Sequence, residues 1–198
     1  MSTRVLCVCG SNSKESRTRA LLELAAEGAR AAGAETALLD LREVALPIMD
    51  PDSQEQKQLP AVRRVHETAA WAQGFLIATP EYHGNESGAL KNWFDFLYPE
   101  LAGKTAGVIA STGGGGGDMS IVSAKNSFNW CHGFTLPFHV AARGADWEGD
   151  ILRNAKIADR LGRLGRDVVR YAQAIGPAWE AARRLGQGAE AGFAGFHA

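Results

Sequence analysis

The apolar residues of the chain occur in short blocks that alternate between two spacings. Continuous apolar runs rich in strand-forming residues predict β-strands at residues 3–9, 36–41, 74–79, 105–111 and 134–142. Between these runs, apolar residues recur at the spacing of a helix face and predict helices at about residues 17–32, 61–73, 87–98, 118–131 and 150–175. The chain therefore alternates strand and helix along most of its length.

This alternation predicts the fold class. Apolar strands that lack polar alternation and are separated by helices indicate a parallel sheet with helices on both faces, an α/β fold. For five such strands the common doubly wound order is 2-1-3-4-5, and its ligand site lies outside the carboxyl ends of strands 1 and 3. We therefore expect the loops after strands 1, 3 and 4 to converge.

The organisation of the chain is expected to be simple. Residues 1–178 are predicted to form one domain, and residues 179–198 a glycine- and alanine-rich extension that is partly mobile. Docking of Phe193 and Phe196 on a neighbouring surface is the alternative for the extension. The proline-containing segment 44–60 is expected to be a long connection, ordered or semi-mobile.

Charge and cysteine content limit the partners. Lys plus Arg is 21 and Asp plus Glu is 22, so the formal net charge of -1 gives no field for nucleic acid or an anionic membrane. No apolar stretch approaches the ~20 residues that span a bilayer, and a cytoplasmic protein is expected. The thiols of Cys7, Cys9 and Cys131 are expected to pack in the core, and no metal site is predicted.

The loop after the first strand has the composition of an anion site. Gly10 permits a tight exit from the strand, Arg17 adds a positive charge at a helix start, and hydroxyls come from Ser11, Ser13, Ser16 and Thr18. The alternative is that Ser16 only caps the helix. Because neither G-x-G-x-x-G nor G-x-x-x-x-G-K-[ST] follows the strand, a single terminal phosphate such as that of FMN fits better than a pyrophosphate.

The loops after strands 3 and 4 suit a flat ligand. The first contains the constrained sequence Pro80, Glu81, Tyr82, His83 and Gly84, whose backbone can lie against the edge of a planar ring.

The second of these loops begins with Ser111 and Thr112 and continues through five glycines, of which Gly113 and Gly114 come first. Asp118 opens the next helix and would repel a phosphate there, so this loop is expected to touch a neutral ring.

Three segments carry a resemblance to a known family. "GSNSKESRT", "TPEYHGNESGALKN" and "STGGGGG" resemble the motifs of the NADPH-dependent FMN reductase family, flavodoxin-like proteins that include azo-dye and quinone reductases. The resemblance spans roughly residues 4–175 and implies FMN as cofactor and NADPH, or NADH, as co-substrate. It assigns the first loop to the FMN phosphate, the Pro80–Gly84 segment to the isoalloxazine ring and ribityl chain, and residues 111–114 to the ring.

Two positions depart from the family pattern. Ser13 stands where the family often has an arginine, and Arg17 is available instead. Ser87 stands where the family often has a proline before the glycine of the second motif.

The activity that this resemblance implies is hydride transfer from NADPH to flavin N5, followed by electron delivery to a flavin, quinone or azo compound. The flavin supplies the chemistry, so no catalytic side chain is expected, although His83 is a possible proton donor. A flavodoxin-like electron carrier and a non-catalytic FMN-binding protein are the alternatives. A homodimer or homotetramer is expected, using helix 87–98, where Phe96 and Tyr98 lie off the apolar stripe.

Overall fold

The alternation of strands and helices is present in the computed structural model, which describes residues 2–198. The strands are β1 Arg4–Cys9, β2 Glu35–Asp40, β3 Gly74–Pro80, β4 Thr105–Thr112, β5 Phe134–Thr135, β6 Val140–Arg143, β7 Trp147–Glu148 and β8 Ile151–Leu152. The helices are α1 Arg17–Ala31, α2 Pro60–Trp71, α3 Gly88–Asp95, α4 Asp118–Trp130 and α5 Ala155–Arg183.

The main sheet is parallel and has the predicted order. Its path is β2-β1-β3-β4-β5, and β6 also pairs with β4. β1 lies between β2 and β3, with Val5–Cys9 in register with Gly74–Ala78 of β3. The α/β class and the strand order are therefore confirmed, and the order reverses between β1 and β3.

The sequence predicted one continuous strand at residues 134–142, but the structure divides it into β5 and β6. β5 pairs with the start of β4 at Thr105, and β6 pairs with its end from Ile109 onward. Pro137 lies between the two pieces and has no N–H to donate to a ladder, which explains why the strand is interrupted there.

Both faces of the sheet are buried. One core cluster contains residues of α2, α3 and α4, with Leu6 and Val8 from β1. The other contains residues of α1 and α5, with Cys7 and Cys9 from the opposite face of the same strand. Cys131 is also buried, so the prediction that the three thiols pack in the core is confirmed. Burial raises the pKa of the Cys7 thiol to about 12 and keeps it protonated.

Several element boundaries differ from those predicted. The last helix starts at residue 155, not 150, because β7 and β8 form a short hairpin turning through Gly149, whose φ is 59°. Asn154 then caps α5 by accepting from the N–H groups of Lys156 and Ile157. α5 continues to Arg183, past the predicted domain boundary at residue 178, and α3 ends at residue 95, not 98.

The long connection before α2 is held by one side chain. Asn92 of α3 accepts from the N–H of Met49 at 2.9 Å and donates to the carbonyl of Pro47 at 2.8 Å. Because both ends of the amide are used, this part of the 44–60 segment has a defined path against α3.

The C-terminal extension lies against the domain. Residues Ala189–His197 form a kinked 3-10 helical segment, and the ring of Phe193 lies 5.2 Å from that of Trp179. His132 Nδ1 and His197 Nε2 are 2.7 Å apart, so the two imidazoles share one hydrogen bond. For Phe193 this is the docked arrangement given above as the alternative, whereas Phe196 is 80% exposed, and the mobility of the extension stays a prediction.

Acid is expected to release the extension. Burial, together with the neighbouring His132 ring and Arg183, holds the pKa of His197 below its ordinary value of 6.5. The released tail therefore binds a proton more readily than the docked tail, and docking weakens as the pH falls below 6.5. Hydrogen exchange of residues 189–197, corrected for the intrinsic effect of pH, should rise between pH 7.5 and pH 5.

The matched control is His197→Phe, which cannot be protonated. Its corrected exchange should not change with pH, and the same independence of pH in the unmodified chain would contradict the expectation.

Candidate functional site

The three loops converge where hydrogen bonds join them. The N–H of Gly10 donates to the carbonyl of Ala78 at 2.8 Å, and the N–H of Glu81 donates to the carbonyl of Ser111 at 2.9 Å. The Oγ of Ser87 donates to the carbonyl of Gly10 at 2.5 Å. The carboxyl ends of β1, β3 and β4 are thus tied together, as the doubly wound order requires.

The first loop and the start of α1 present a row of free N–H groups. Within the described residues, hydrogen bonds are made by the N–H of Ser13, to Ser11 Oγ at 3.3 Å, and by that of Arg19, to Ser16 Oγ at 3.1 Å. The remaining N–H groups from residue 12 to residue 18 have no intramolecular partner there, while that of Ser11 lies beside the Cys9 thiol. The first turn of α1 also contains no acidic residue. This is the arrangement that binds an anion.

The hydroxyls of this loop are not equivalent. Ser11 and Ser16 each accept a hydrogen bond from a backbone N–H, so their own protons are not used in these bonds. The Ser16 hydroxyl also lies beside the Cys9 thiol. Ser13 already donates its proton to the carbonyl of Glu15 at 3.0 Å. Thr18 is buried at the start of α1. Ser16 therefore both caps the helix and stays a possible donor, so the two interpretations of this residue are compatible.

Arg17 points away from the loop in this structure. Its Nη2 donates to the carbonyl of Gly149 at 2.7 Å, and its guanidinium carbon lies 5.3 Å from the centre of the Trp147 ring. Both partners belong to the β7–β8 hairpin. The sequence analysis missed this contact because nothing near residue 17 in the sequence indicates a contact with residues 147–149.

The second loop contains a tight turn. Tyr82 and Asn85 exchange two backbone hydrogen bonds of 3.0 Å, and the two residues between them have positive φ, 52° at His83 and 75° at Gly84. These angles define a type I′ turn, in which glycine is favoured and histidine is strained. The N–H groups of His83 and Gly84 have no partner among residues 2–198, so they are free to meet a ligand.

Tyr82 is exposed beside this turn, with 55% of its surface accessible, and Pro80 is buried as the last residue of β3. The next residue, Glu81, turns towards α4, where its Oε2 accepts from the N–H of Ser120 at 3.2 Å. The backbone N–H and one carboxylate oxygen of Glu81, Oε2, are therefore already used within the chain.

The third loop is open where it leaves the sheet. Ser111 and Thr112 are half-buried at the end of β4, and Gly113 and Gly114 are exposed, with no atom within 4 Å of a built Cβ. The carbonyl of Gly113 accepts from the N–H of Gly144 at 3.1 Å, which anchors the start of the loop.

Ser87 is a site residue whose role the sequence analysis did not foresee. It caps α3 by accepting from the N–H of Leu90 at 3.1 Å, and its own N–H donates to Thr79 Oγ1 at 3.0 Å. With the bond to Gly10, one residue joins two loops and a helix. A proline here could make none of these bonds, since it has neither hydroxyl nor N–H. The available signal was a serine directly before a helix.

Two cavities lie at opposite edges of the sheet. One of about 350 Å³ borders the first loop at Asn12 and α3 at Gly88. A larger cleft of about 1050 Å³ lies at the amino edge, beside Arg4 and Lys104. Two of its cations already have contacts within the chain. Lys104 donates to carbonyls at the end of α2, and burial lowers its pKa to about 8, while Arg4 lies over the ring of Trp71.

Comparison with known proteins decides the family. Residues 3–148 match the family model described as NADPH-dependent FMN reductase. The chain belongs to this family. Its members are oxidoreductases, and the predicted pairing of FMN with a reduced nicotinamide is thus confirmed for the NADPH-dependent FMN reductase family to which the chain belongs.

Individual relatives agree with this assignment. The chain is 27% identical to the NADPH-dependent FMN reductase ArsH of Shigella flexneri over 90% of its own length and 72% of the relative's. It is 29% identical to an NADPH azoreductase of Bacillus sp. (strain OY1-2), over 77% of this chain and 84% of that one.

A solved structure supports the fold. The flavoenzyme NAD(P)H:(acceptor) oxidoreductase FerB from Paracoccus denitrificans superposes with a TM-score of 0.71 at 21% identity, covering 88% of this chain and 99% of that one. At this identity the likeness shows the flavodoxin-like fold alone.

Within residues 2–198, no three or more metal-binding side chains cluster, and none of the helices there is long and apolar enough to cross a membrane.

Removing the Ser87 hydroxyl should destabilise this member of the family. Ser87→Ala deletes a helix cap and leaves the buried carbonyl of Gly10 without its donor, and we expect a loss of about 2 kcal/mol in the free energy of unfolding. Urea denaturation measures this loss. Ser123→Ala, in the interior of α4, is the control and should change the free energy by less than about 0.5 kcal/mol. An equally small loss in Ser87→Ala would mean that the two bonds of the hydroxyl, to Leu90 and Gly10, are not important for stability.

Proposed function

We propose that this chain is an FMN-dependent NAD(P)H oxidoreductase that passes electrons to a small acceptor, namely a flavin, a quinone or an azo compound. The main observation in support is the set of N–H groups without an intramolecular partner between residues 12 and 18, all except that of Ser13, next to the point where the strand order reverses. A phosphate monoester suits such a helix start, because the N–H groups and the helix dipole both favour a negative charge.

The residues at this end fit the phosphate of FMN. We assign to it the loop residues Gly10, Ser11, Ser13, Ser16, Arg17 and Thr18. Ser11 and Ser16 have hydroxyl protons to donate, whereas Ser13 would first have to release the carbonyl of Glu15. Arg17 would have to leave Gly149 to reach a ligand in the loop.

The other two loops fit a flat ring. We assign to it Pro80, Glu81, Tyr82, His83, Gly84, Ser111, Thr112, Gly113 and Gly114. The free N–H groups of His83 and Gly84 can donate to the edge of the ring, and the open glycines leave room for its face. Glu81 would act here indirectly, since its Oε2 already accepts from Ser120 and its N–H donates to Ser111.

The chemistry that FMN supplies when bound is acceptance of a hydride at N5 from the nicotinamide C4 and delivery of the electron pair to the acceptor. The contribution of the protein is to orient the ring and to stabilise negative charge on it with backbone N–H groups of the second and third loops. No side chain is assigned as an acid or base. His83 is exposed on its turn. The alternative for this residue is a role as proton donor to the electron acceptor.

A flavodoxin-like electron carrier is the alternative of a different class, and a non-catalytic FMN-binding protein is another. Such a carrier would be expected to have a strongly acidic face for its partners, and the formal net charge of this chain is -1. The curated relatives are named for reductase activities, which also favours an enzyme.

Reduction by NADPH tests the proposal. Protein loaded with FMN should lose the flavin absorbance near 450 nm when NADPH is added without oxygen, and should regain it when a quinone is added. Free FMN at the same concentration is the control for uncatalysed reduction. Protein that binds FMN and is not bleached by NADPH or NADH would favour the electron carrier, and protein that does not bind FMN would contradict the proposal entirely. A screen of flavin, quinone and azo acceptors with both nicotinamides would then identify the substrates.

We also propose a homodimer, in the cytoplasm, with α4 at its interface. α4 exposes Met119, Val122 and Trp130, with 61%, 58% and 78% of their surfaces accessible, at spacings that place them along one face. Met119 borders the second loop, since its Cβ lies 3.9 Å from a Cβ built on Gly84. A second copy seated on this face would therefore also border the proposed ring site.

The residues that first suggested a dimer have contacts within the chain. Phe96 packs partly against the chain's own core, and Tyr98 lies 6.1 Å from the ring of His132. Tyr98 nevertheless keeps 48% of its surface accessible, so the use of helix 87–98 stays a prediction, and the α4 face is proposed as a second candidate surface.

A charge placed on this face should prevent association. We expect the unmodified chain to sediment as a dimer at micromolar concentration and Val122→Glu to sediment as a folded monomer, because two carboxylates would be buried at the contact. Ile151→Glu, an exposed apolar position in the β7–β8 hairpin, is the control and should leave the dimer intact. A monomeric unmodified chain would contradict the proposal.

A further inference from the structure

α4 begins without a cap of its own. The residue before the helix is Gly117, which has a φ of 78° and no side chain to accept from the free N–H groups. The N–H of Ser120, the third helical residue, instead donates to Glu81 Oε2, 3.2 Å away. Ser120 follows Glu81 by 39 residues, so α4 receives its capping acceptor from the end of another strand.

The same carboxylate lies against the glycine loop. A Cβ built on Gly115 would be 2.8 Å from Glu81 Oε1, whereas Cβ atoms on Gly113 and Gly114 meet nothing within 4 Å. Gly115 does not have a positive φ, so its backbone would accept an alanine. The nearest obstacle to a side chain there is the carboxylate of Glu81.

The loop has few other constraints between its ends. Its start is anchored by Gly144 at the carbonyl of Gly113, and its end by Ser120 Oγ, which donates to the carbonyl of Gly117 at 2.9 Å. Glu81 is itself fixed by its N–H bond to Ser111. The position of the middle of the third loop therefore depends, through the carboxylate of Glu81, on the position of the second loop.

We infer that Glu81 is a positioning residue: its carboxylate caps α4 and holds the glycine loop in the shape that meets the flavin ring. The part of this inference that concerns flavin rests on the proposed function, while the capping of α4 is a property of the chain alone. Glu81 thus acts through the loop and does not need to touch the ring.

Hydrogen exchange of the FMN-free protein tests the capping role. Glu81→Ala removes the acceptor, and the amide of Ser120 should exchange about tenfold faster. Glu81→Gln keeps an oxygen that can accept, so exchange should return to within about threefold of the unmodified chain. Exchange unchanged in Glu81→Ala would overturn the inference. Fast exchange in both variants would support it, with the charge of the carboxylate at the helix end as the required feature.

Gly115→Ala provides an independent test. The added methyl group should push the carboxylate away from Ser120, so this variant should show the same fast exchange as Glu81→Ala, and the double variant should be no faster than either alone. Gly114→Ala has open space around it and is the matched control for exchange. Equal exchange in Gly115→Ala and Gly114→Ala would show that a methyl group at residue 115 does not displace the carboxylate, and would contradict the inference.

FMN affinity tests the part of the inference that concerns the flavin ring. Quenching of FMN fluorescence should give a dissociation constant about tenfold higher for Glu81→Ala and near the original for Glu81→Gln. Thermal unfolding of the FMN-free Glu81→Gln should be close to that of the unmodified chain, and Glu81→Ala should still unfold cooperatively but at a lower temperature, because a helix cap is lost. Fast exchange at unchanged affinity would overturn the link to the ring. If the unmodified chain does not bind FMN, the proposed function fails, and the exchange results still decide the capping role.

Discussion

The parallel pairing of β1 with β3 is the constraint on which the rest of the structure depends. Because β1 also pairs with β2, the connections that follow β1 and β3 run on opposite faces of the sheet. α1 packs on one face and α3 on the other, and the two helices start on either side of Gly10. A crevice at this edge follows from the topology, whatever side chains line it.

The charges at the starts of α1 and α4 determine where in the crevice the anionic end of a ligand can bind. α1 has free N–H groups, a serine cap and no acidic residue in its first turn. α4 starts with Asp118 and is capped by the carboxylate of Glu81, so its positive end is already neutralised. A phosphate is favoured at α1 and opposed at α4. A ligand with one charged end and one flat uncharged end is thereby oriented before any contact with its ring is formed.

The sequence was sufficient for the features that depend on local pattern. Apolar periodicity predicted the order of elements and the strand order, since both follow from burial of a parallel sheet on two faces. It did not show that Pro137 divides the last strand or that a hairpin precedes α5, because an apolar run does not reveal which of its residues pair. The loops were located correctly for the same reason that the strands were: each begins where an apolar run ends.

Side-chain pairings between distant segments could not be predicted in this way. The bond from Arg17 to Gly149, the bond from Ser120 to Glu81 and the contact of His132 with His197 each join residues far apart in the chain. Motif composition indicates which groups are available, and only the packed structure shows which of them are already used. That is why the four hydroxyls of the first loop could be named from the sequence, although the internal donation by Ser13 could not be foreseen.

The departure at Ser87 shows how a family position can change without loss of the loop geometry. A proline would fix this backbone by restricting φ, whereas the serine fixes it with three hydrogen bonds, to Leu90, Thr79 and Gly10. Glu81 fixes the neighbouring loop in a comparable way, through the N–H of Ser120. In both cases the side chain acts on the backbone of another loop and not on the open space between the loops. The free N–H groups can then face a ligand because the side chains around them hold the backbone in place.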